Sequence, residues 1–305
     1  MAAPFEILLD VDRDRSRLQE IADAAFDLAR DLDAQLSSYL PTSDICFINA
    51  TAYDRPARIE PHLMRLLATA RRLWRETDGA FDVTVGPLVH AWGFFRREGH
   101  VPDPPVLAAA RERVGMQHVR LDEENLTVSF DRPGVEINLG AIGKGFVVDC
   151  VVEALRGWGI RAAVVHSAQS SIATIGRPLA GGDWYLGVAD PFDLTRSVGV
   201  LPVNDGSLSI SGSAEQSFQH NGRIYSHILD PRTGEPVQGQ LAGTAVVGPT
   251  AAETDALATA FFVMGVDNAR RYCEGRKAFA AVLFEGETAD SMHTHTVGCS
   301  LEKEE

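Results

Sequence analysis

Asp255 and Thr259 stand at i and i+4 in Thr254-Asp255-Ala256-Leu257-Ala258-Thr259-Ala260. On a helix that spacing puts a carboxylate and a hydroxyl on one face, about one turn apart. Such a pair can hold a hard cation such as Mg²⁺ that also binds substrate phosphates. The same residues also read as a first-turn Asp favoured by the helix dipole and a Thr bonded to its own backbone. A second segment, Leu139-Gly140-Ala141-Ile142-Gly143-Lys144-Gly145, joins a strand-like run to a helical one. Glycines there let backbone N–H groups approach a phosphate at a helix N-terminus, or simply make a tight turn. A Walker A loop would need glycine in place of Asn138 and Ser or Thr in place of Gly145, which argues against P-loop chemistry. In Ser226-His227-Ile228-Leu229-Asp230-Pro231-Arg232-Thr233-Gly234 a histidine precedes a turn. Its imidazole is suited to general-base work near neutral pH, or to a structural hydrogen bond. Asp82 lies in an apolar frame, Thr77 to Leu88, and reads as a cap or a ligand. No Gly-x-Ser-x-Gly elbow occurs. The alternating His293 and His295 read as a surface strand in preference to a metal site.

These groups need a frame to position them. Phe5-Glu-Ile-Leu-Leu predicts a strand, and the stripe Leu18, Ile21, Ala25, Phe26, Ala29, Leu32, Leu36 predicts a helix that ends before Pro41. Thr42-Ser43-Asp44 caps a short helical turn to Asn49. A helix follows over about 62–76, stopped by Thr77-Asp78-Gly79, and another begins after Pro102-Asp103-Pro104-Pro105. Short strands are expected at 119–121 and 127–130. A strand, glycine turn and helix are expected across 136–158, then strands at 162–166, 171–175, 184–189, 197–203 and 208–211. Asn221-Gly222 predicts a hairpin. Helices over about 252–265 and 267–276 and a strand over 278–284 complete the reading. Helices and strands mix without strict βαβ alternation, so the expected class is α+β.

Composition excludes other classes. The chain has 305 residues, 45% of them hydrophobic, enough for a core and too apolar for disorder. Its 28 Lys+Arg against 42 Asp+Glu give a formal net charge of -14, which argues against nucleic acid and anionic membranes as partners. An acidic protein that takes an anionic substrate must screen the charge locally. The cysteines, Cys46, Cys150, Cys273 and Cys299, form no C-x-x-C and read as buried thiols. No basic-then-apolar leader and no long apolar run occur, so the chain as written is expected to be cytoplasmic, or exported if a leader was removed.

Five collinear blocks are similar to those of the ApbE family, the FAD:protein FMN transferases. They are 1–7; Leu-Ser-Ser-Tyr-Leu-Pro-Thr-Ser-Asp at 36–44 with Asn49; 77–88; Asn-Leu-Gly-Ala-Ile-Gly-Lys-Gly with Asp149 at 138–149; and Ser211-Gly212 with the His227 and Asp255 motifs. The resemblance runs from Met1 to about Phe284. It implies one ApbE-like, T-fold-related domain over 1–285, of mixed and antiparallel sheets flanked by helices, followed by a partly flexible tail over 286–305. It implies Mg²⁺ as cofactor and FAD as substrate. It implies transfer of FMN to a Thr or Ser hydroxyl of an acceptor flavoprotein, with release of AMP. By position, Asp255, Thr259 and the Ala141 carbonyl are the implied metal ligands. Tyr39, Ala80, Phe81, Asp82, Asn138, Lys144, Ser226, His227 and Ile228 are the implied flavin contacts. His227 and Asp255 are the implied catalytic pair, with His227 the base. The chain departs from the family where His166-Ser167-Ala168-Gln169-Ser170-Ser171 replaces a common Gly-Gly-Asp segment, and where Ala2-Ala3 replaces Gly-Thr or Gly-Ser. An Mg²⁺-dependent FAD pyrophosphatase and a non-catalytic FAD-binding protein are the alternative functions.

Overall fold

The computed structural model describes residues 4–11, 15–168, 170–212, 216–239 and 241–303. In chain order the elements begin with β1 (Phe5–Leu9), α1 (Arg15–Leu36), α2 (Asp44–Thr51), β2 (Ala57–Arg58) and α3 (Pro61–Glu76). They continue with α4 (Gly86–Ala91), α5 (Pro104–Arg111), β3 (Val119–Asp122), β4 (Thr127–Phe130) and α6 (Gly143–Gly157). Then come β5 (Ala163–Ser167), β6 (Ser171–Ile175), β7 (Tyr185–Asp190), β8 (Asp193–Pro202), β9 (Ser207–Gly212), β10 (Ser217–His220) and β11 (Arg223–Ser226). The last are β12 (Leu241–Gly248), α7 (Ala251–Met264), α8 (Val266–Gly275), β13 (Ala280–Glu285) and β14 (His293–Val297).

Seven strands in the order β1-β5-β6-β9-β12-β13-β14 form one antiparallel sheet. Its two faces are read off by alternation. Val165, Val246, Ala281 and Leu283 pack beneath α1, α6 and α7, whereas Val164, Ala245, Val282 and Phe284 pack beneath the β7–β8 ribbon. A separate cluster of Leu88, Trp92, Phe94, Ala110 and Leu229 seats α4 and α5 beside the turn that follows the β10–β11 hairpin. The α+β expectation holds. No helix among the described residues is long and apolar enough to cross a membrane.

Three local differences have physical reasons. The expected strand at 136–139 makes only an isolated bridge between Val85 and Glu136. The Asn49 side chain stands in for a partner strand: its Nδ2 donates to the Ile137 carbonyl (2.9 Å) and its Oδ1 accepts from Ile137 N (2.8 Å). β12 was not expected because it is buried on both faces and shows no alternation. The unexpected α4 starts with Gly86-Pro87, a helix-entry signal hidden inside the polar block. Beyond residue 285, β14 carries the alternating histidines along the sheet edge, where His295 meets Glu285 of β13 at 3.0 Å.

The β5–β6 turn holds the departure from the family pattern. Ala168 adopts φ 56, a left-handed conformation in which a Cβ is strained. Ala168→Gly is therefore expected to raise unfolding free energy by about 0.5–1 kcal/mol, because strain relief outweighs the added unfolded-chain entropy. A urea midpoint that does not rise would contradict this. Gln169 of the same turn lies outside the described residues, as do Ala2 and Ala3.

Candidate active site

Residues 138–145 form a tight entry to α6. Asn138 Oδ1 accepts from Gly140 N at 2.9 Å, an Asx turn, while Asn138 N donates to the Val83 carbonyl at 2.6 Å. Gly143 N donates to the Leu139 carbonyl at 2.7 Å. Gly145 lets α6 approach α7, since a Cβ there would lie 2.0 Å from the Ala251 carbonyl oxygen. Its N–H donates to Asp255 Oδ2 at 3.1 Å. The amides of Gly140, Gly143 and Gly145 thus have internal acceptors, as the tight-turn reading of these glycines requires.

Asp255 is 2% exposed, on the first turns of α7. Lys144 Nζ lies 3.3 Å from its Oδ1 and 3.4 Å from the Gly140 carbonyl. Thr259, one turn on, has Oγ1 3.3 Å from Ser211 Oγ on β9. Lys144 and Asp255 are thus brought together where α6 meets α7, with Thr259 one turn further along α7 and Ala141 in the loop that enters α6. Two features hold α7 there. The first is Asp149 of α6, whose carboxylate accepts from Ala251 N (2.7 Å) and Ala252 N (2.8 Å) and caps the neighbouring helix. The second is a buried hydroxyl seam in which Ser209 Oγ and Ser207 Oγ meet Thr254 Oγ1 at 2.8 and 3.2 Å. Neither role was assigned from sequence, although Ser207-Leu208-Ser209-Ile210-Ser211 carried a visible period of two.

Burial pushes the Asp149 carboxyl up to about 6, opposed by its two N–H donors and reinforced by the nearby Glu253 and Asp255 charges. A carboxyl whose folded pKa exceeds its unfolded value of about 3.9 binds protons preferentially in the folded state. Its contribution to stability is full below about pH 4 and is lost as pH rises through 6. Relative to Asp149→Asn, which lacks this titration, the wild type is expected to lose stability between pH 4 and 6.5. Urea unfolding of both proteins across that range checks the sign, and a constant difference would contradict it.

His227 follows β11. Its Nδ1 lies 3.1 Å from the Gln216 carbonyl, so Nδ1 carries the proton and the basic lone pair falls on Nε2. Gln216 Nε2 donates to the Phe94 carbonyl at 3.2 Å, tying this segment to the turn after α4. The adjacent Phe95 stacks on exposed Tyr39 with centroids 4.5 Å apart, and packs on His90 at 4.2 Å. Ser226 Oγ is buried and lacks a hydrogen-bond partner among the described residues. Ile228 is buried.

The block 77–88 buries Thr77, Asp82 and Thr84 and leaves Asp78 exposed. Ala80 and Phe81 are buried, with Phe81 in the main core. Asp82 Oδ1 accepts from Thr84 N (2.8 Å) and Thr84 Oγ1 (2.6 Å), and Oδ2 from Met116 N (3.1 Å). Of the two roles open to Asp82, the carboxylate serves as a cap, and burial raises its pKa. Any ligand contact at Ala80 or Phe81 must come from backbone atoms. Around the β5–β6 turn, His166 Nε2 meets Glu6 at 3.2 Å, while His166 Nδ1 and Ser171 Oγ lack partners among the described residues. No disulfide forms among the described cysteines, and burial pushes Cys150 and Cys273 up to about 12, which keeps both thiols protonated and poor nucleophiles.

The chain is similar to known proteins in sequence and in fold. Residues 1–284 match the pattern of the ApbE family. The FAD:protein FMN transferase of Haemophilus influenzae is 34% identical over 254 residues, which span 81% of this chain and 73% of that protein. The FAD:protein FMN transferase of Salmonella typhimurium is 30% identical over 262 residues, 84% of this chain and 74% of that one. In three dimensions, the flavin transferase ApbE from Vibrio cholerae superposes with a TM-score of 0.81 at 27% identity, covering 97% of this chain and 94% of that chain.

Proposed function

The chain belongs to the ApbE family, and from that premise we propose that it is an FAD:protein FMN transferase that works with Mg²⁺, places FMN on a Thr or Ser hydroxyl of an acceptor flavoprotein and releases AMP. The observation that carries this reading is the buried Asp255 carboxylate, already faced by an ammonium. Asp255, the Thr259 hydroxyl and the Ala141 carbonyl are hard oxygen donors of the kind that Mg²⁺ takes, and the Lys144 ammonium 3.3 Å from Asp255 marks a place where positive charge is wanted. When bound there, Mg²⁺ would supply neutralisation of the charge on the FAD diphosphate.

The chain's own groups supply the rest. His227, anchored through Nδ1, offers Nε2 to the proton of the acceptor hydroxyl. The hydroxyl oxygen bonds to the FMN phosphorus, the bond from phosphorus to the AMP oxygen breaks, and the proton leaves on His227. Lys144 meets the phosphate charge as AMP departs. Tyr39, backed by Phe95, gives the flavin a flat aromatic face. Asn138, Ser226, Ile228 and the backbone of Ala80, Phe81 and Asp82 complete the proposed flavin contacts. The Ser226 hydroxyl beside His227, without a hydrogen-bond partner among the described residues, supports that placement, since a buried hydroxyl is normally satisfied.

Incubation with FAD, Mg²⁺ and a peptide bearing an Asp-x-x-Thr motif tests the proposal. Covalent flavin fluorescence on the peptide is expected. FMN plus AMP without labelling would make the protein a pyrophosphatase, and unchanged FAD would make it a binding protein.

A further inference from the structure

The buried Asp255 carboxylate is paired with the partly exposed Lys144 ammonium at the place proposed for a divalent cation, with a consequence for the order of binding. The inference rests on the flavin-transfer reading and deepens it. Asp255 is 2% exposed and Lys144 20% exposed, with 3.3 Å between Nζ and Oδ1. A buried carboxylate is costly without a counter-charge, and the ammonium provides one. The same Nζ lies 3.4 Å from the Gly140 carbonyl, one residue before the Ala141 carbonyl of the proposed donor set. Lys144 thus engages the kind of oxygens a hard cation needs: a carboxylate and a loop carbonyl. Ammonium and divalent cation cannot share them, because two positive charges within a few ångströms repel strongly away from bulk water.

The two partners differ in mobility. Asp255 is fixed, its Oδ2 held by Gly145 N and its helix held by Asp149 and the hydroxyl seam. Lys144 reaches it on a flexible four-carbon stem. A diphosphate arriving at the start of α6 offers the ammonium more negative charge than one carboxylate does. We propose that Lys144 is the resident counter-ion of Asp255 and is drawn off it by the FAD diphosphate, so that FAD binding opens the cation site and the two ligands bind with positive coupling. By linkage, the cation must tighten FAD by the same factor.

Mn²⁺ serves as the probe, with free Mn²⁺ counted by EPR in titrations of the full chain with and without FAD, in the absence of acceptor. For the wild type, FAD is expected to tighten Mn²⁺ roughly 10- to 100-fold, within the usual range of coupling. In Lys144→Met, Mn²⁺ should bind the FAD-free protein about tenfold more tightly, and the gain on adding FAD should shrink by the same factor. Lys144→Arg keeps a charge on Asp255 and should leave FAD-free affinity low. Arg72→Met removes a cation bound to Glu253, near the start of α7, and controls for bulk charge; it should change Mn²⁺ affinity less than about twofold. Equal FAD-free affinity in wild type and Lys144→Met, with only FAD weakened, would reduce Lys144 to a phosphate contact and overturn the inference. Should Lys144→Met melt early, Lys144→Arg still decides: a rise in FAD-free affinity to the level expected for Met would also overturn it. Wild type that takes no Mn²⁺ even with FAD would remove the cation reading itself, a failure distinct from that of the coupling.

Discussion

Asp255→Ala is expected to abolish Mg²⁺-dependent flavin transfer, a fall in kcat/KM on the order of 10³-fold or more. Asp255 is the sole carboxylate in the proposed donor set, and Thr259 and the Ala141 carbonyl are neutral. A neutral pair does not hold a divalent cation against water at ordinary Mg²⁺ concentrations. Asp255→Asn separates charge from architecture. The amide oxygen can still accept from Gly145 N, as Oδ2 does at 3.1 Å, so the junction of α6 with α7 stays closed. Both variants should lose transfer, with Asn keeping a melting temperature nearer the wild type than Ala. Steady-state transfer across a Mg²⁺ titration measures this. Full transfer by Asp255→Asn would place the cation elsewhere.

His227→Ala is the second large effect. A positioned general base contributes roughly 10² to 10⁴ in rate, and that loss should fall on kcat. FAD affinity, read from quenching of flavin fluorescence, should stay within about threefold, because the imidazole is one of many flavin contacts but the sole proposed base for the acceptor's proton. Free imidazole should restore part of the rate in the Ala variant. An unchanged kcat with weakened FAD binding would demote His227 from base to contact.

Much of this site was legible because its chemistry is local. The i and i+4 spacing of Asp255 and Thr259 and the turn after His227 are features of short windows, and the structure keeps them on elements close to those expected. What escaped depends on distant packing. Gly145 reads as a phosphate-loop glycine, yet its missing Cβ is required by the Ala251 carbonyl, over a hundred residues away. Asp149 reads as a helical Asp and caps another helix. Asn49 ends a short motif and serves as the hydrogen-bonding partner of Ile137. Buried on both faces, β12 has no polar side to mark it. Asp82 kept two roles open, and only the through-space N–H of Met116 identifies the cap.

The net charge of -14 posed the question of how an acidic protein takes an anionic dinucleotide. The proposed site answers it locally: Asp255 recruits positive charge, first as Lys144 and then as a divalent cation, and the positive charge recruits the diphosphate. The central claim is that this site carries FMN to a hydroxyl and not to water. The most direct measurement is the ratio of AMP released to peptide labelled, with the peptide's mass read by mass spectrometry and AMP by chromatography. The account predicts one AMP for each peptide that gains FMN less one water, with both products absent in Asp255→Asn. AMP that accumulates while the acceptor peptide keeps its mass would contradict it.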